Sequence, residues 1–485
     1  MSNKNTNELK RGLTNRHMNM LAIGGSIGTG LFVGLGGALS ASGPGSTAVS
    51  YALMGVVTYF VMTSLGEMST YMPTSGAFST YTDKFVEPAF GFSIGWVYWY
   101  MGALCIADEL VAGVLIVQYW FPNVNQPLLC LGFILLILVL NLFTAKLFGE
   151  AEFWFALLKV VAIVAFLVTG LLLILGVVGG EPSPGFKNWT VGDAPFVGGV
   201  SSFMSAMIIA SFAYRGVEYL GVAAGECLNP QEVMPKTIKT VFWRILIFYI
   251  GTIIVIGFLI PYDDPSLLKS GITNIAASPF TMIFEKTGFG GAATVMNIVI
   301  LTSILSACNA LTYTSSRVLY SMAKVNNAPK IFAKTSKNGI PVAALIVLMA
   351  IAALCFLAST IGASTLYMML LNGVSICGCL AWMAISFSHF RFRRAYVAQG
   401  RDLAELGYKA KFFPVGDIIS LLVVGGSIIG LFITSGSTHT VFSFLMEASG
   451  IILFLILYLG YKIKNKSKFR KLTEVDLSTD DIKLD

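Results

Sequence analysis

Apolar runs of about twenty residues follow one another along nearly the whole chain. They lie near 18–40, 47–70, 91–120, 127–147, 153–178, 198–223, 240–260, 289–316, 341–360, 364–388, 412–435 and 440–461. Each is long enough to cross a bilayer as a helix. Two of them are interrupted by glycine and polar residues: Met20-Leu-Ala-Ile-Gly-Gly-Ser-Ile-Gly-Thr-Gly-Leu-Phe-Val33 and Met207-Ile-Ile-Ala-Ser-Phe-Ala-Tyr-Arg-Gly-Val-Glu-Tyr-Leu-Gly221. A helix that breaks at mid-membrane bares peptide groups that lipid cannot hydrogen-bond, so the break must be buried in protein or line a cavity. Broken segments at comparable points of two halves mark the substrate site of a secondary transporter. Their spacing predicts an all-α integral membrane fold of about twelve transmembrane helices. Five spans repeat as five with inverted orientation, helices 1 and 6 are discontinuous, and two further helices follow.

Composition agrees with this reading. Only 12% of residues are charged and 55% are hydrophobic, with a mean hydropathy of +0.77. Soluble domains carry roughly 25% charged residues. One membrane domain is expected over 18–471, with a polar tail at 1–17 and an acidic one at 472–485. Both tails are expected to be disordered, the latter because it lacks apolar residues enough for a core. No cleavable signal peptide is visible.

The net charge of +7 does not point to nucleic acid, because it is sorted by loop. With a cytoplasmic N-terminus and twelve spans, only Lys187, Lys269 and Lys286 of the 32 Lys and Arg residues fall outside. Lys159 and Arg215 remain within the membrane, and the others face the cytoplasm. This asymmetry predicts a multi-pass plasma-membrane protein with both termini inside. The seven cysteines lie mostly in apolar runs and read as packing residues, Cys377 and Cys379 included.

The first break can carry chemistry. Gly24, Gly25, Gly28 and Gly30 let a ligand touch backbone, and Ser26 and Thr29 add hydroxyls. The start of the second half-helix suits a carboxylate. A dinucleotide loop is excluded by the lack of a preceding strand, whereas a glycine face for close helix packing stays open. At the second break, unwound carbonyls around Ser211–Tyr214 suit an ammonium group. Glu218 is a mid-membrane carboxyl, and such groups mark ion or substrate pathways. It reads as a proton carrier or as a structural group holding a helix end. Glu152 is expected at the cytoplasmic end of its span, and Lys159, seven residues on, either snorkels past it toward the cytoplasm or turns its ammonium onto carbonyls bared at the first break. Asp108 and Glu109 lie well inside the third span about 100° apart on a helix. At most one faces a given pocket, its partner being a basic substrate or Arg215. The histidines have no partners at metal-ligand spacing. No nucleophile–base constellation supports an intramembrane enzyme.

Several motifs carry a family resemblance: Ala22-Ile-Gly-Gly-Ser-Ile-Gly-Thr-Gly-Leu-Phe32, Gly66-Glu-Met-Ser-Thr-Tyr-Met-Pro-Thr-Ser-Gly76, Phe148-Gly-Glu-Ala-Glu-Phe-Trp154, Ala224-Gly-Glu226 and Ser388-His-Phe-Arg-Phe-Arg-Arg394. With them, the chain resembles the amino acid–polyamine–organocation (APC) superfamily permeases, and among these the bacterial lysine-specific ones. The resemblance implies alternating access. It implies that the substrate carboxylate binds at Ser26, Ile27, Gly28, Thr29 and Gly30, and the amino group at Phe212, Tyr214, Arg215 and Gly216. It also matches Glu218 to the sixth-helix glutamate, Lys159 to a fifth-helix lysine linked to proton coupling, and Glu109 to a third-helix acid. Arg215 departs from the Phe-Gln-Gly of lysine permeases, which brings in histidine or another amino acid as substrate. The expected function is import of an amino acid, most of all lysine, by symport with a proton. An exchanger and a non-transporting nutrient receptor are the alternatives. No metal or organic cofactor is expected, the proton being the coupling ion; the amino acid and the lipid bilayer are the expected partners, and nucleic acid is not one.

Overall fold

The computed structural model describes residues 12–179, 182–268, 278–288, 291–435 and 441–478. Lys269, His439 and the outer parts of both expected tails lie outside these residues. The described chain is helical throughout, and its only β feature is an isolated bridge between Leu13 and Cys227. The helices are α1 (Asn15–Ser26), α2 (Leu35–Tyr71), α3 (Ala77–Phe85), α4 (Pro88–Val117), α5 (Gln126–Asn141), α6 (Ala145–Ile174), α7 (Gly199–Tyr214), α8 (Tyr219–Ala223) and α9 (Pro230–Leu259). There follow α10 (Pro265–Leu268), α11 (Pro279–Glu285), α12 (Ala292–Lys324), α13 (Val342–Ala352), α14 (Ala358–Ile361), α15 (Ala363–Ala398), α16 (Val415–Ser435) and α17 (Val441–Asn465).

Nine helical stretches among the described residues are long and apolar enough to cross a membrane. One of them, Asn15–Tyr71, runs through the first two expected spans. Gln126–Asn141 and Leu246–Leu259 are shorter apolar helices. The first two spans part at Gly43, whose φ of 76° no side-chain-bearing residue adopts readily, and Pro44 follows it inside α2. Helix starts are set locally. Pro88, Pro230 and Pro279 occupy the first turns of α4, α9 and α11, where a missing N–H costs nothing. Asn125 accepts the Leu128 N–H to cap α5.

The interior is built where α2 packs on α7 and α9, α4 on α12 and α15, and α1 on α6. Lipid-grade side chains such as Leu128, Trp154, Val161 and Leu422 remain on the outside. In the first half the second long span, α2, is followed by one short helix, α3; in the second half α9 is followed by two, α10 and α11.

The C-terminal expectation needs correction. Residues 472–478 are not a coreless tail. Val475 and Leu477 are each 3% exposed. Tyr71 donates to the Leu477 carbonyl at 2.7 Å, Gln399 donates to the carbonyls of Leu472 and Val475, and Lys84 pairs with Asp476 at 3.0 Å. Two apolar side chains are anchor enough when the acids around them have partners. The N-terminal tail is corrected likewise from residue 12 on. Gly12 and Leu13 donate to the Glu226 carbonyl, and α1 is already helical at Asn15.

Candidate functional site

Both interruptions are real breaks, and they meet. In the first, α1 stops at Ser26, Ile27 is extended (φ −95°, ψ 97°), and the chain resumes in a wide π-helical turn over Gly30–Gly34. Successive glycines cost a helix about 1 kcal/mol each, and wide turns of this kind recur at functional sites. In the second, α7 stops at Tyr214, Arg215 is extended and Gly216 has φ +100°. A Cβ built on Gly216 would lie 2.6 Å from the Gly25 carbonyl carbon and 3.0 Å from Ser26 N. One built on Gly30 would lie 2.6 Å from Ala213 Cα. Glycine at these positions lets two unwound backbones touch in the middle of the molecule.

A small cavity of about 20 Å³ lies at this junction, room for roughly one water. Of the residues expected to bind substrate, Ser26, Gly28, Gly30, Glu109, Phe212 and Arg215 line it. Ile27, Thr29, Tyr214, Gly216 and Glu218 adjoin it without lining it. Tyr214 turns away: its ring stacks on Tyr249 at 4.6 Å.

Between the two third-span acids, Glu109 faces the site. Thr29 Oγ1 donates to Glu109 Oε1 at 2.9 Å, and a Cβ on Gly28 would sit 3.0 Å from the same oxygen. Asp108 is fully buried, and neither of its oxygens has a hydrogen-bond partner among the described residues. Arg215 is not its ion-pair partner. Arg215 donates through Nη2 to Cys105 Sγ at 3.0 Å and lies over the Phe212 ring at 4.3 Å. Its Nη1 has no partner among the described residues.

Lys159 does not snorkel. It is 1% exposed, and Nζ donates to the Gly24 carbonyl at 2.6 Å. A carbonyl bared at the first break is thus held by an ammonium group from α6. Glu218 accepts from the Gly216 N–H at 3.1 Å and from Trp382 Nε1 at 3.3 Å, leaving Oε1 without a partner. It props the second break from beneath while one oxygen stays available.

Sequence reading missed three participants. Tyr249 donates its hydroxyl hydrogen to a bifurcated pair, the Ser26 carbonyl at 2.7 Å and the Ala213 carbonyl at 2.6 Å. A tyrosine inside an apolar run carries no signal of this. Tyr249→Phe is expected to lower the rate of substrate uptake by about fivefold to about 150-fold, since an orphaned buried acceptor costs about 1–3 kcal/mol; uptake into proteoliposomes checks it. Trp382 is hidden in the same way. Glu152 lies in the Phe148–Trp154 motif, whose position in the sequence places it at the end of its span, whereas the structure buries it to 1% exposure. Toward the C-terminal end of α12, Arg317 Nε donates to Glu226 Oε1 at 2.9 Å and lies over Tyr313, tying α12 to the end of the sixth span.

Among the described residues no group of three or more His, Cys, Asp or Glu could hold a metal ion.

The comparisons agree with this architecture. A family model for the amino acid permeases matches residues 17–474. The chain is 44% identical over 483 residues to the lysine-specific permease LysP of Escherichia coli (strain K12), covering 98% of each. It is 46% identical over 475 residues to the histidine permease HisP of Lactococcus lactis subsp. cremoris (strain MG1363), covering 98% of this chain and 99% of the relative. A lysine-specific permease of the same Lactococcus strain is 44% identical over 97% of this chain and 93% of its own length. With two broken helices joined at a buried polar junction and a family match across nearly its whole length, the chain belongs to the amino acid permeases.

Proposed function

We propose that this permease imports an amino acid across the plasma membrane together with a proton, with both termini in the cytoplasm. Lysine is the first substrate. The observation that carries the reading is the Lys159 ammonium on the Gly24 carbonyl. It couples a group able to lose its proton to the backbone of the first break. Closing both breaks over a zwitterion favours the closed state only if substrate binds that state more tightly. The Ser26–Gly30 segment receives the carboxylate and the Phe212–Gly216 segment the ammonium group. Glu109 faces a cationic side chain, and Glu218 or Lys159 exchanges the proton. The 44% identity to lysine-specific permeases supports the substrate.

Histidine is the second reading, and Arg215 is the observation that favours it. A guanidinium with a spare donor at the cavity repels an added ammonium but can donate to a neutral imidazole. The histidine permease at 46% identity supports this alternative.

The deciding experiment is uptake into proteoliposomes under an imposed pH gradient, with all twenty amino acids competing against labelled lysine and labelled histidine. A symporter accumulates substrate on the gradient alone. An exchanger needs counter-substrate inside, and a receptor binds without uptake. In the same assay Glu109→Gln is expected to weaken uptake of a cationic amino acid about tenfold and of a neutral one far less, a difference of about 1.4 kcal/mol. Equal losses for both would remove its role in specificity.

A further inference from the structure

Glu152 is a buried acid that the transport cycle above leaves unused. It lies two helical turns before Lys159 on α6, and each side chain is 1% exposed. Helical side chains lean toward the N-terminus of their helix, so Lys159 points back toward Glu152. Gly24 of the first break sits between them. Its carbonyl accepts from Lys159 Nζ at 2.6 Å, and a Cβ built on it would lie 3.0 Å from Glu152 Oε1. The carboxylate is also held from the opposite side. Ser306 Oγ donates to Oε1 at 2.5 Å and Asn309 Nδ2 to Oε2 at 3.5 Å. Asn309 Oδ1 in turn accepts from Asn141 Nδ2 at 2.9 Å.

The other groups facing this acid are few. Lys159 on the same helix and Glu109 on α4 are the charges within electrostatic reach of the pair. From α12 come Ser306, Asn309 and Cys308, all neutral. From α1 comes glycine backbone, and His17 further along is engaged with Glu150. From α9 comes the Tyr249 hydroxyl, spent on the two break carbonyls. Among the described residues no cation lies within ion-pair distance of Glu152. A buried carboxyl without a bonded cation is costly, and inside a membrane such a group marks an ion pathway.

We propose that Glu152 is the proton acceptor for Lys159 on the cytoplasmic side of the first break. When the break rearranges and Gly24 leaves the space between them, an N–H bond of the Lys159 ammonium breaks and an O–H bond forms on the Glu152 carboxylate. The electron pair of the broken bond stays on Nζ, leaving a neutral amine beside a neutral acid, so net charge is unchanged. Under the orientation proposed above, Glu152 lies nearer the cytoplasm than Lys159, and the proton leaves to that side. The inference rests on the reading of this permease as a proton symporter.

The test is Glu152→Gln in proteoliposomes, reading accumulation of labelled lysine or histidine on a pH gradient and exchange of the same substrate at equal pH. Glutamine keeps an acceptor for Ser306 and cannot carry the proton. Accumulation is expected to fall more than about tenfold and exchange far less, the signature of lost coupling. Accumulation equal to that of the unsubstituted protein overturns the proposal. So does an equal loss of exchange, which a merely structural role produces. Ser306→Ala removes a hydrogen bond from the charged form of the acid, so the pH profile of uptake is expected to move toward higher pH; an unmoved profile also overturns it. If the unsubstituted protein ignores the pH gradient, the symport reading falls and this inference with it. If it responds and Glu152→Gln responds equally, only the role of Glu152 falls.

Discussion

Gly216→Ala is expected to abolish uptake while leaving a folded, membrane-inserted protein. At φ +100° an alanine is strained, by about 1–2 kcal/mol for a left-handed backbone. Its Cβ would also stand 2.6 Å from the Gly25 carbonyl carbon and 3.0 Å from Ser26 N. These neighbours are backbone, so they cannot turn aside as the end of a side chain could. Relieving the collision means pushing the two breaks apart, with overpacking adding about 1–3 kcal/mol. Together these come to about 2–5 kcal/mol, a loss of at least about thirtyfold in uptake, because in the cycle proposed above the closed junction is the state that grips substrate. Thermal unfolding of the purified variant beside labelled uptake separates a lost site from a lost fold. Uptake within about threefold of normal, a difference of less than 1 kcal/mol, would show that the breaks need not touch.

Lys159→Ala is expected to end accumulation above equilibrium while substrate binding persists more weakly. Its bond to the Gly24 carbonyl is charge-assisted and buried, worth about 1.5–3 kcal/mol, and its removal leaves that carbonyl without its ammonium partner. Affinity should therefore fall about ten- to a hundredfold. The stronger effect is on coupling, since the side chain best placed to give up a proton at the break is gone. Accumulation under an imposed pH gradient, measured beside equilibrium binding, checks both parts. A variant that still concentrates substrate on the gradient would leave Lys159 as a structural strut.

The elements legible in the sequence were those that violate a local rule. Glycines inside apolar runs located both breaks to within a few residues. Charges inside apolar runs pointed to Lys159, Glu109, Arg215 and Glu218, because lipid tolerates such groups only for a reason. Partners that obey the local rules stayed hidden. Tyr249 and Trp382 look like ordinary aromatic residues of a membrane helix, and only the fold turns their donors toward the breaks. Glu152 was misread because its distance from a helix start resembles that of a surface acid, whereas α1 and α12 cover it. The choice between Asp108 and Glu109 depended on the rotation of α4, which an apolar helix with little amphipathic contrast does not reveal. Residues 472–478 were misjudged because Val475 and Leu477 are too few to register as a pattern, yet they suffice against a surface already folded.

Under the proton symport proposed above, the narrowness of the junction also guards the cell's energy supply. A carrier that moves protons with its cargo must not pass them when no cargo is bound, or the gradient that feeds it drains away. In the conformation seen, the path between the broken helices narrows to a space of about 20 Å³. Backbone stands against backbone there, and both Arg215 and Glu109 line it. A proton carrier drifting in finds too little water to stay hydrated. The same glycines that make the grip possible thus let the resting molecule serve as its own insulation.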